Sequence, residues 1–333
     1  MQIVVLQTAF SGDVILATPI FEALKEKYPE CKTAFVVRPE SAGLVQHNPF
    51  IDLVIPYDKY GSDKGLSGIL RVAKKLRGFD KAIIVQRYFR TALIPFLANI
   101  KARIGYNNSK FKFLYTEIRN YNPKKHEVIR CLNLAGINEN LEKYHPRIVI
   151  DKVTDLKVSE TLARLGIVGD FAVIAPGSIW PTKRYNQFGT LADLIAVKLL
   201  LPVVMLGGRG DITAARNAIE NSRAKIYDLT GNTALLESAS VISKARIVFS
   251  NDSAPAHMAA AVNTPVVVIM GPTVQSFGFA PYTNKSKIAE VNNLYCRPCS
   301  SHGSNKCPEN HFRCMTDLSP QLILGKAKSI LGG

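Results

Sequence analysis

Three short segments of this 333-residue chain combine small, anionic and cationic residues in ways that suit chemistry on phosphates and sugars. The first is Ser11-Gly12-Asp13, lying between an apolar run and an amphipathic one. Gly12 lets a ligand approach the backbone, and free amides at the start of the following helix favour an anion. Asp13 reads either as a cap of that helix or as a base that removes a proton from a hydroxyl. Both roles are compatible at a cleft edge. The second segment is Pro176-Gly177-Ser178-Ile179-Trp180-Pro181-Thr182-Lys183-Arg184, a stiff loop with two adjacent cations. Lys183 and Arg184 suit a pyrophosphate; the plainer reading is a pair of solvated loop charges. The third is Ser250-Asn251-Asp252-Ser253-Ala254-Pro255-Ala256-His257. Here Asp252 can accept from sugar hydroxyls, and amides from Ser253 through Ala254 and Ala256 suit a phosphate, with His257 in the same turn. Its plain reading is a helix cap and a satisfied histidine.

Two more segments carry weaker signals. Gly207-Gly208-Arg209-Gly210-Asp211 resembles a dinucleotide fingerprint only superficially, because Thr213 stands where a third small residue belongs. It reads as a tight turn with Asp211 available to a ribose. Cys296, Cys299, Cys307 and Cys314, with His302 and His311 nearby, supply enough ligands for a tetrahedral structural zinc, although the spacings match no standard ribbon. An inert thiol cluster or a labile disulfide are the alternatives. Cys31 and Cys131 stand alone and read as small core residues.

Elements must hold these segments in place, and their pattern is that of parallel sheets with crossover helices. In the first half, strands are predicted at Ile3–Gln7, Thr33–Val37, Leu53–Ile55 and Lys81–Val85, with helices at Val14–Tyr28, Leu66–Leu76 and Thr91–Ile100. The pattern restarts with strands at Phe171–Ile174, Val203–Leu206, Ile247–Phe249 and Val266–Ile269. Helices are expected near Phe188–Leu199, Thr213–Asn221, Ala234–Ser243, Ala254–Ala261 and Pro320–Leu331. Pro146 and a charged run mark a linker around Lys143–Asp155. The expected organisation is therefore a domain over residues 1–150 and a second over 151–333, with the cysteine-rich segment 296–314 in the latter. This length favours two cores over one. Two doubly wound domains in tandem are expected to face each other across a cleft, with ligands at the carboxyl ends of the strands.

The formal charge is +16, and its placement is uneven. Lys59 to Arg130 holds 17 Lys and Arg against Asp63, Asp80, Glu117 and Glu127. A field of that sign draws phosphates on nucleic acid, membrane or polyanionic substrate. Nucleic acid is disfavoured. No aromatic platform interleaves the basic stretch, and the cysteine region offers only Arg297, Lys306 and Arg313 against Glu309 and Asp317. No basic segment precedes the apolar Ile3–Leu6, and no run reaches the roughly 18 apolar residues of a spanning helix, so a cytosolic protein is expected.

Taken together and in order, these segments resemble those of the bacterial ADP-heptose:lipopolysaccharide heptosyltransferases, inverting enzymes with the two-domain GT-B fold. The resemblance is carried by Gln7-Thr8-Ala9-Phe10-Ser11-Gly12-Asp13-Val14, Pro181-Thr182-Lys183-Arg184-Tyr185, Leu229-Thr230-Gly231, Asn251-Asp252-Ser253 through His257, and Met270-Gly271-Pro272-Thr273. It spans nearly the whole chain, and the tail ending Cys314-Met315 also resembles tails in part of the family. Ser11 departs from a usually apolar place, Ala254-Pro255-Ala256 replaces a Gly-Leu-containing segment, and Asp211 stands near a position where some relatives use glutamate.

The resemblance implies heptose transfer from ADP-L-glycero-D-manno-heptose to the inner core of lipopolysaccharide; a related transferase with another nucleotide sugar or envelope glycan is the alternative. Asp13 would be the general base, and Lys183 would hold the donor phosphates. Asp252 would bind the heptose, and Ser178, Arg184, Asp211, Ser253, Ala254, Ala256 and His257 would complete the donor site. Gly12, Arg87 and Arg90 would meet the acceptor, a lipid A carrying Kdo sugars and phosphates or its heptosylated form. No metal would be needed for the transfer. The basic N-terminal domain would dock on the cytoplasmic face of the inner membrane.

Overall fold

The computed structural model describes residues 1–332 and divides into two compact units, Met1–Val149 and the remainder from Ile150. Each is built on a six-stranded parallel sheet. In the first unit the strands are β1 Gln2–Leu6, β2 Lys32–Val37, β3 Leu53–Pro56, β4 Lys81–Ile84, β5 Ala102–Tyr106 and β6 Glu117–Arg119. They lie in the order β3-β2-β1-β4-β5-β6. The central strands are apolar throughout because crossover helices bury them; β1 shows solvent only at Gln2. Val4, Leu6, Val36, Ile84 and Ile94 anchor one core cluster of this unit.

The second unit repeats the plan with β7 Ala172–Ala175, β8 Val203–Met205, β9 Ile226–Asp228, β10 Ile247–Asn251, β11 Val266–Ile269 and β12 Ser286–Ala289, ordered β12-β11-β10-β7-β8-β9. The helix Pro320–Leu331, N-capped by Ser319, buries Ile323, Leu324 and Ala327 in this unit's core. In each sheet the order reverses beside the first strand, between β1 and β4 and between β7 and β10. The connections leave in opposite directions there and open a crevice at the carboxyl edge.

Several expectations are revised. The single helix at Val14–Tyr28 is two, Ser11–Ala17 and Pro19–Lys27, because Pro19 lacks the amide that would continue the ladder. The linker region is partly helical. Asp151 accepts from the Val153 and Thr154 amides, both at 3.0 Å, and caps a helix over Lys152–Arg164. The helices Pro39–Val45 and Glu127–Leu134 and the strands β5, β6, β9 and β12 lie outside the predicted elements. β6 and β9 are three-residue edge strands, too short to show a period, and β12 reads Ser-Lys-Ile-Ala, with one β-branched residue.

Candidate active site

In the second unit, four loops leave the carboxyl edge of the sheet and meet at the switch point. β7 runs into Pro176-Gly177-Ser178, and the chain then turns through Pro181–Lys183. β10 delivers Asn251 at its end, with Asp252 and Ser253 next. Asn251 is fully buried and ties the two loops together. Its Nδ2 donates to the Pro176 carbonyl at 2.8 Å, and its Oδ1 accepts from the Tyr185 amide at 3.1 Å. That brace brings Lys183 onto Asp252, Nζ to Oδ2 at 2.6 Å, with each side chain 11% exposed. Thr273, after β11, donates its hydroxyl to the same Oδ2 at 2.7 Å.

The helix Ala254–Ala261 starts beside this pair. Ser253 holds the N-cap position, but its hydroxyl makes no bond to the helix amides and instead approaches the Asn251 carbonyl at 3.4 Å. The capping reading of Ser253 is therefore not what the side chain does. Pro255 has no amide, and the Ala256 amide donates to the Ser253 carbonyl at 3.1 Å. Amide donors for an anion thus narrow to Ser253 and Ala254, and Ala256 is committed within the turn. His257 is buried in the first turn.

Arg184 is braced rather than solvated, since its Nε donates to the Ser178 carbonyl at 2.8 Å. Ser178 is buried, and its hydroxyl accepts from the Trp180 amide at 3.3 Å. Asp211 closes the other side of the crevice. Its Oδ2 accepts from the Gly208 amide at 2.9 Å, and the carboxylate presses on Gly177, where a Cβ would lie 2.1 Å from Asp211 Cγ. A side chain there would have to displace the Asp211 carboxylate. The loop after β8 therefore comes up against the loop after β7, with Asp211 beside Gly177.

In the first unit, Gly12 and Asp13 lie in the first turn of the helix Ser11–Ala17 after β1. Asp13 is not the N-cap but the third residue of the helix; its Oδ2 accepts from the amide of the N-cap residue, Phe10, at 3.3 Å. Arg87 and Arg90 follow β4, the strand paired with β1, so they share its carboxyl edge. Arg90 Nη1 donates to the Lys59 carbonyl at 3.2 Å, and the Arg87 guanidinium sits 4.6 Å from the Tyr121 ring centroid. A group the sequence did not single out lies close by. Glu127 is buried against Arg130, Oε2 to Nε at 2.9 Å. Burial pushes its carboxyl up to about 7; the Arg130 charge opposes the rise and Asp13 adds to it. Nothing in the sequence around Glu127 and Arg130 signals burial; packing of their helix against the helices Ser11–Ala17 and Pro19–Lys27 and against β5 buries the pair.

The six cysteines are free thiols, with Cys31, Cys131 and Cys314 buried. Cys299, Cys307 and Cys314 line one small crevice with Thr182, Pro272 and Phe312. Cys299 Sγ donates to the Cys296 carbonyl at 3.0 Å, and Cys296 Sγ is 3.9 Å from His311 Nε2. Burial pushes the Cys314 thiol up to about 11 and raises Cys299 as well. Among the described residues no three His, Cys, Asp or Glu side chains are gathered closely enough to hold a metal ion. A metal here would have to draw the thiols together and displace their protons.

In the second unit a cation, a carboxylate and helix amides gather at the switch point of a parallel sheet, the usual place for a ligand in a Rossmann-like unit, and the first unit repeats the sheet plan. Comparison with known proteins makes the class specific. Residues 69–309 match the profile of glycosyltransferase family 9 (heptosyltransferase), and the chain belongs to this family. It is similar to the lipooligosaccharide heptosyltransferase 2 of Haemophilus influenzae, at 25% identity over 99% of each chain. Among solved structures it resembles a family 9 glycosyl transferase from Veillonella parvula, with TM-score 0.88 and 22% identity over 99% of this chain and 97% of that one. It also resembles the Escherichia coli ADP-heptose lps heptosyltransferase II, with TM-score 0.78 and 21% identity over 99% and 98%. The α/β class with two Rossmann-like units, expected for GT-B, is the fold observed.

Proposed function

We propose that this chain transfers heptose from ADP-L-glycero-D-manno-heptose to the inner core of lipopolysaccharide, inverting the anomeric centre. The observation that carries the reading is the Lys183–Asp252 pair beside the uncapped amides of Ser253 and Ala254, at the switch point of a family 9 chain. A diphosphate is the kind of anion that a lysine and helix amides suit, and the similar Escherichia coli protein is named for ADP-heptose.

In the proposed reaction Asp13 takes the proton from the acceptor hydroxyl as its oxygen attacks the anomeric carbon. The bond from that carbon to the β-phosphate oxygen breaks, and ADP leaves with the electron pair. Lys183 and the amides meet the charge that grows on the leaving phosphate, which is the work a metal would otherwise do, so the transfer is proposed to need none. Ser178, Arg184 and His257 frame the phosphates, Asp211 meets the ribose, and Asp252 holds heptose hydroxyls. The second unit is thus proposed to bind the donor, and the first, through Gly12, Arg87 and Arg90, the acceptor.

The four cysteines at 296, 299, 307 and 314 are the proposed place for a structural zinc. Metal analysis of the purified protein tests this; zinc well below one per chain would leave them as thiols.

No described helix is long and apolar enough to cross a membrane. The proposed location is the cytoplasmic side, bound peripherally to the inner membrane through the basic first unit. Tyr88 and Phe113 are 69% and 74% exposed there, flanked by Arg87, Arg90, Lys110 and Lys112. These exposed aromatics among the cations revise the expectation of a basic stretch without an aromatic platform, and the mixture suits an anionic lipid surface.

The deciding experiment incubates the protein with ADP-heptose and a panel of truncated lipopolysaccharides, read by mass spectrometry. One added heptosyl unit on a Kdo-bearing acceptor is the expected result. Transfer only from UDP- or GDP-sugars would replace the donor assignment.

A further inference from the structure

We infer that Thr273 is a positioning residue for the Lys183–Asp252 pair, and that Arg297 holds it in place. The inference rests on the donor-site reading above. Thr273 is buried, and its hydroxyl and the Lys183 ammonium donate to the same oxygen, Asp252 Oδ2, at 2.7 and 2.6 Å. Two donors on one carboxylate oxygen fix the plane of the group and leave Oδ1 as the oxygen a sugar hydroxyl would meet. The two donors are not equivalent once a phosphate arrives. A lysine on a flexible stem can turn toward the phosphate. Thr273 then remains as the group that keeps the carboxylate aimed.

Thr273 can do this only if its loop is rigid, and Arg297 supplies that rigidity. Its side chain is nearly buried, 7% exposed, and its guanidinium is spent largely on the loop after β11. Nη2 donates to the carbonyls of Met270 at 3.2 Å and Thr273 at 2.9 Å, and Nε donates to that of Gly271. Nη1 reaches the Val291 carbonyl at 2.6 Å, and Glu290 Oε2, 2.7 Å from Nη2, neutralises the charge. The Cys299 amide adds a bond to the Pro272 carbonyl at 3.1 Å. A planar fork satisfied on every side cannot swivel, so the loop it grips is held in one conformation.

The same stretch also grips the lysine loop. The Ser304 amide donates to Thr182 Oγ1 at 2.8 Å, and the Thr182 amide donates to the Ser304 carbonyl at 3.2 Å. Gly303, at φ +97, lies so close that a Cβ there would meet Trp180 Cβ at 2.8 Å. Arg297 to Ser304 therefore clamps both loops, one carrying Lys183 and the other Thr273.

The test uses the full chain, with ADP binding by calorimetry and steady-state transfer from ADP-heptose. Thr273→Val keeps the shape and removes the donor, while Thr273→Ser keeps the hydroxyl. We expect Thr273→Val to raise the donor KM about tenfold, the scale of one hydrogen bond to a charged group. Its melting temperature should fall by only a few degrees, about the cost of one hydrogen bond, and Thr273→Ser should restore the donor KM to within about twofold. Arg297→Lys, which loses the fork, should raise the donor KM in the same direction. Thr273→Val with wild-type donor kinetics overturns the inference alone. So does a loss that serine does not rescue or that merely follows the melting temperature. A wild-type protein that neither binds ADP nor transfers heptose overturns the donor-site reading, and this inference with it.

Discussion

Lys183 and Asp252 form a nearly buried ion pair, 2.6 Å from Nζ to Oδ2, although 69 residues separate them in the chain. They meet because β7 and β10 are neighbours and Asn251 ties their loops. On the proposed donor reading, a phosphate at Lys183 would compete with Asp252 for the ammonium. Lys183→Ala should weaken ADP binding about tenfold or more, the scale of a charge-assisted contact. Asp252→Asn should bind ADP at least as tightly as wild type while transferring heptose far more slowly, because it frees the cation and loses the sugar contact. Calorimetry with ADP checks both, and an Asp252→Asn protein with clearly weaker ADP affinity would contradict the competition.

The Asp13 carboxylate is proposed as the base, so its amide analogue should bind but not transfer. Asp13→Asn is expected to lower kcat by about 10²–10⁴-fold, the usual contribution of a general base, with ADP affinity kept. Turnover within about threefold of wild type would remove Asp13 from the proton transfer.

Gly177 has no room for a side chain because the Asp211 carboxylate occupies that space. Gly177→Ala should push Asp211 aside and weaken ADP binding several-fold, about as much as Asp211→Asn, each costing roughly one polar contact. Equal ADP affinity in all three proteins, with unchanged melting temperatures, would detach Asp211 from the nucleotide.

Glu127 gives stability a pH dependence. Its folded-state carboxyl is raised to about 7 from an ordinary value of 4.5, chiefly by burial. The folded protein therefore holds this proton more tightly than the unfolded chain does. The contribution is complete below the ordinary value and is lost as pH rises toward 7. Glu127→Gln removes that dependence. Melting temperatures of the two proteins across this window should shift in favour of the glutamine variant as pH rises. A difference constant with pH would mean that Glu127 stays ionised throughout.

The exposed aromatics of the first unit predict lipid binding that mixes charge and insertion. Vesicles containing anionic phospholipid should retain the protein, and neutral vesicles should not. Lys110→Ser with Lys112→Ser should weaken retention by about 1 kcal/mol per cation removed. Phe113→Ser should weaken it with less sensitivity to salt. Retention indifferent to lipid charge would argue against this surface.

Much of the architecture was readable along the chain, since local rules act there. The β11 run Val266–Ile269 and the helix Ala254–Ala261 occur with the expected bounds, because a bounded β-branched run and a small-residue run admit few other structures. Gly12-Asp13, the lysine loop and Asn-Asp-Ser stood out because glycine, proline and polar residues at the end of an apolar run mark strand-to-helix turns. Local rules failed at Thr18-Pro19, where the helical period continued past the residue that interrupts the backbone ladder.

Partnership was decided by the fold. Strand order made Lys183 the partner of Asp252, made Asn251 a brace, and turned Arg297, outwardly a loop charge in a cysteine-rich tail, into the anchor of the Thr273 loop. Glu127 became a buried acid for the same reason. Residue types and periods are properties of the chain, so the chain announced them. Which side chains face one another across a parallel sheet depends on the order in which distant strands dock, and that order arises only when their apolar faces are buried together.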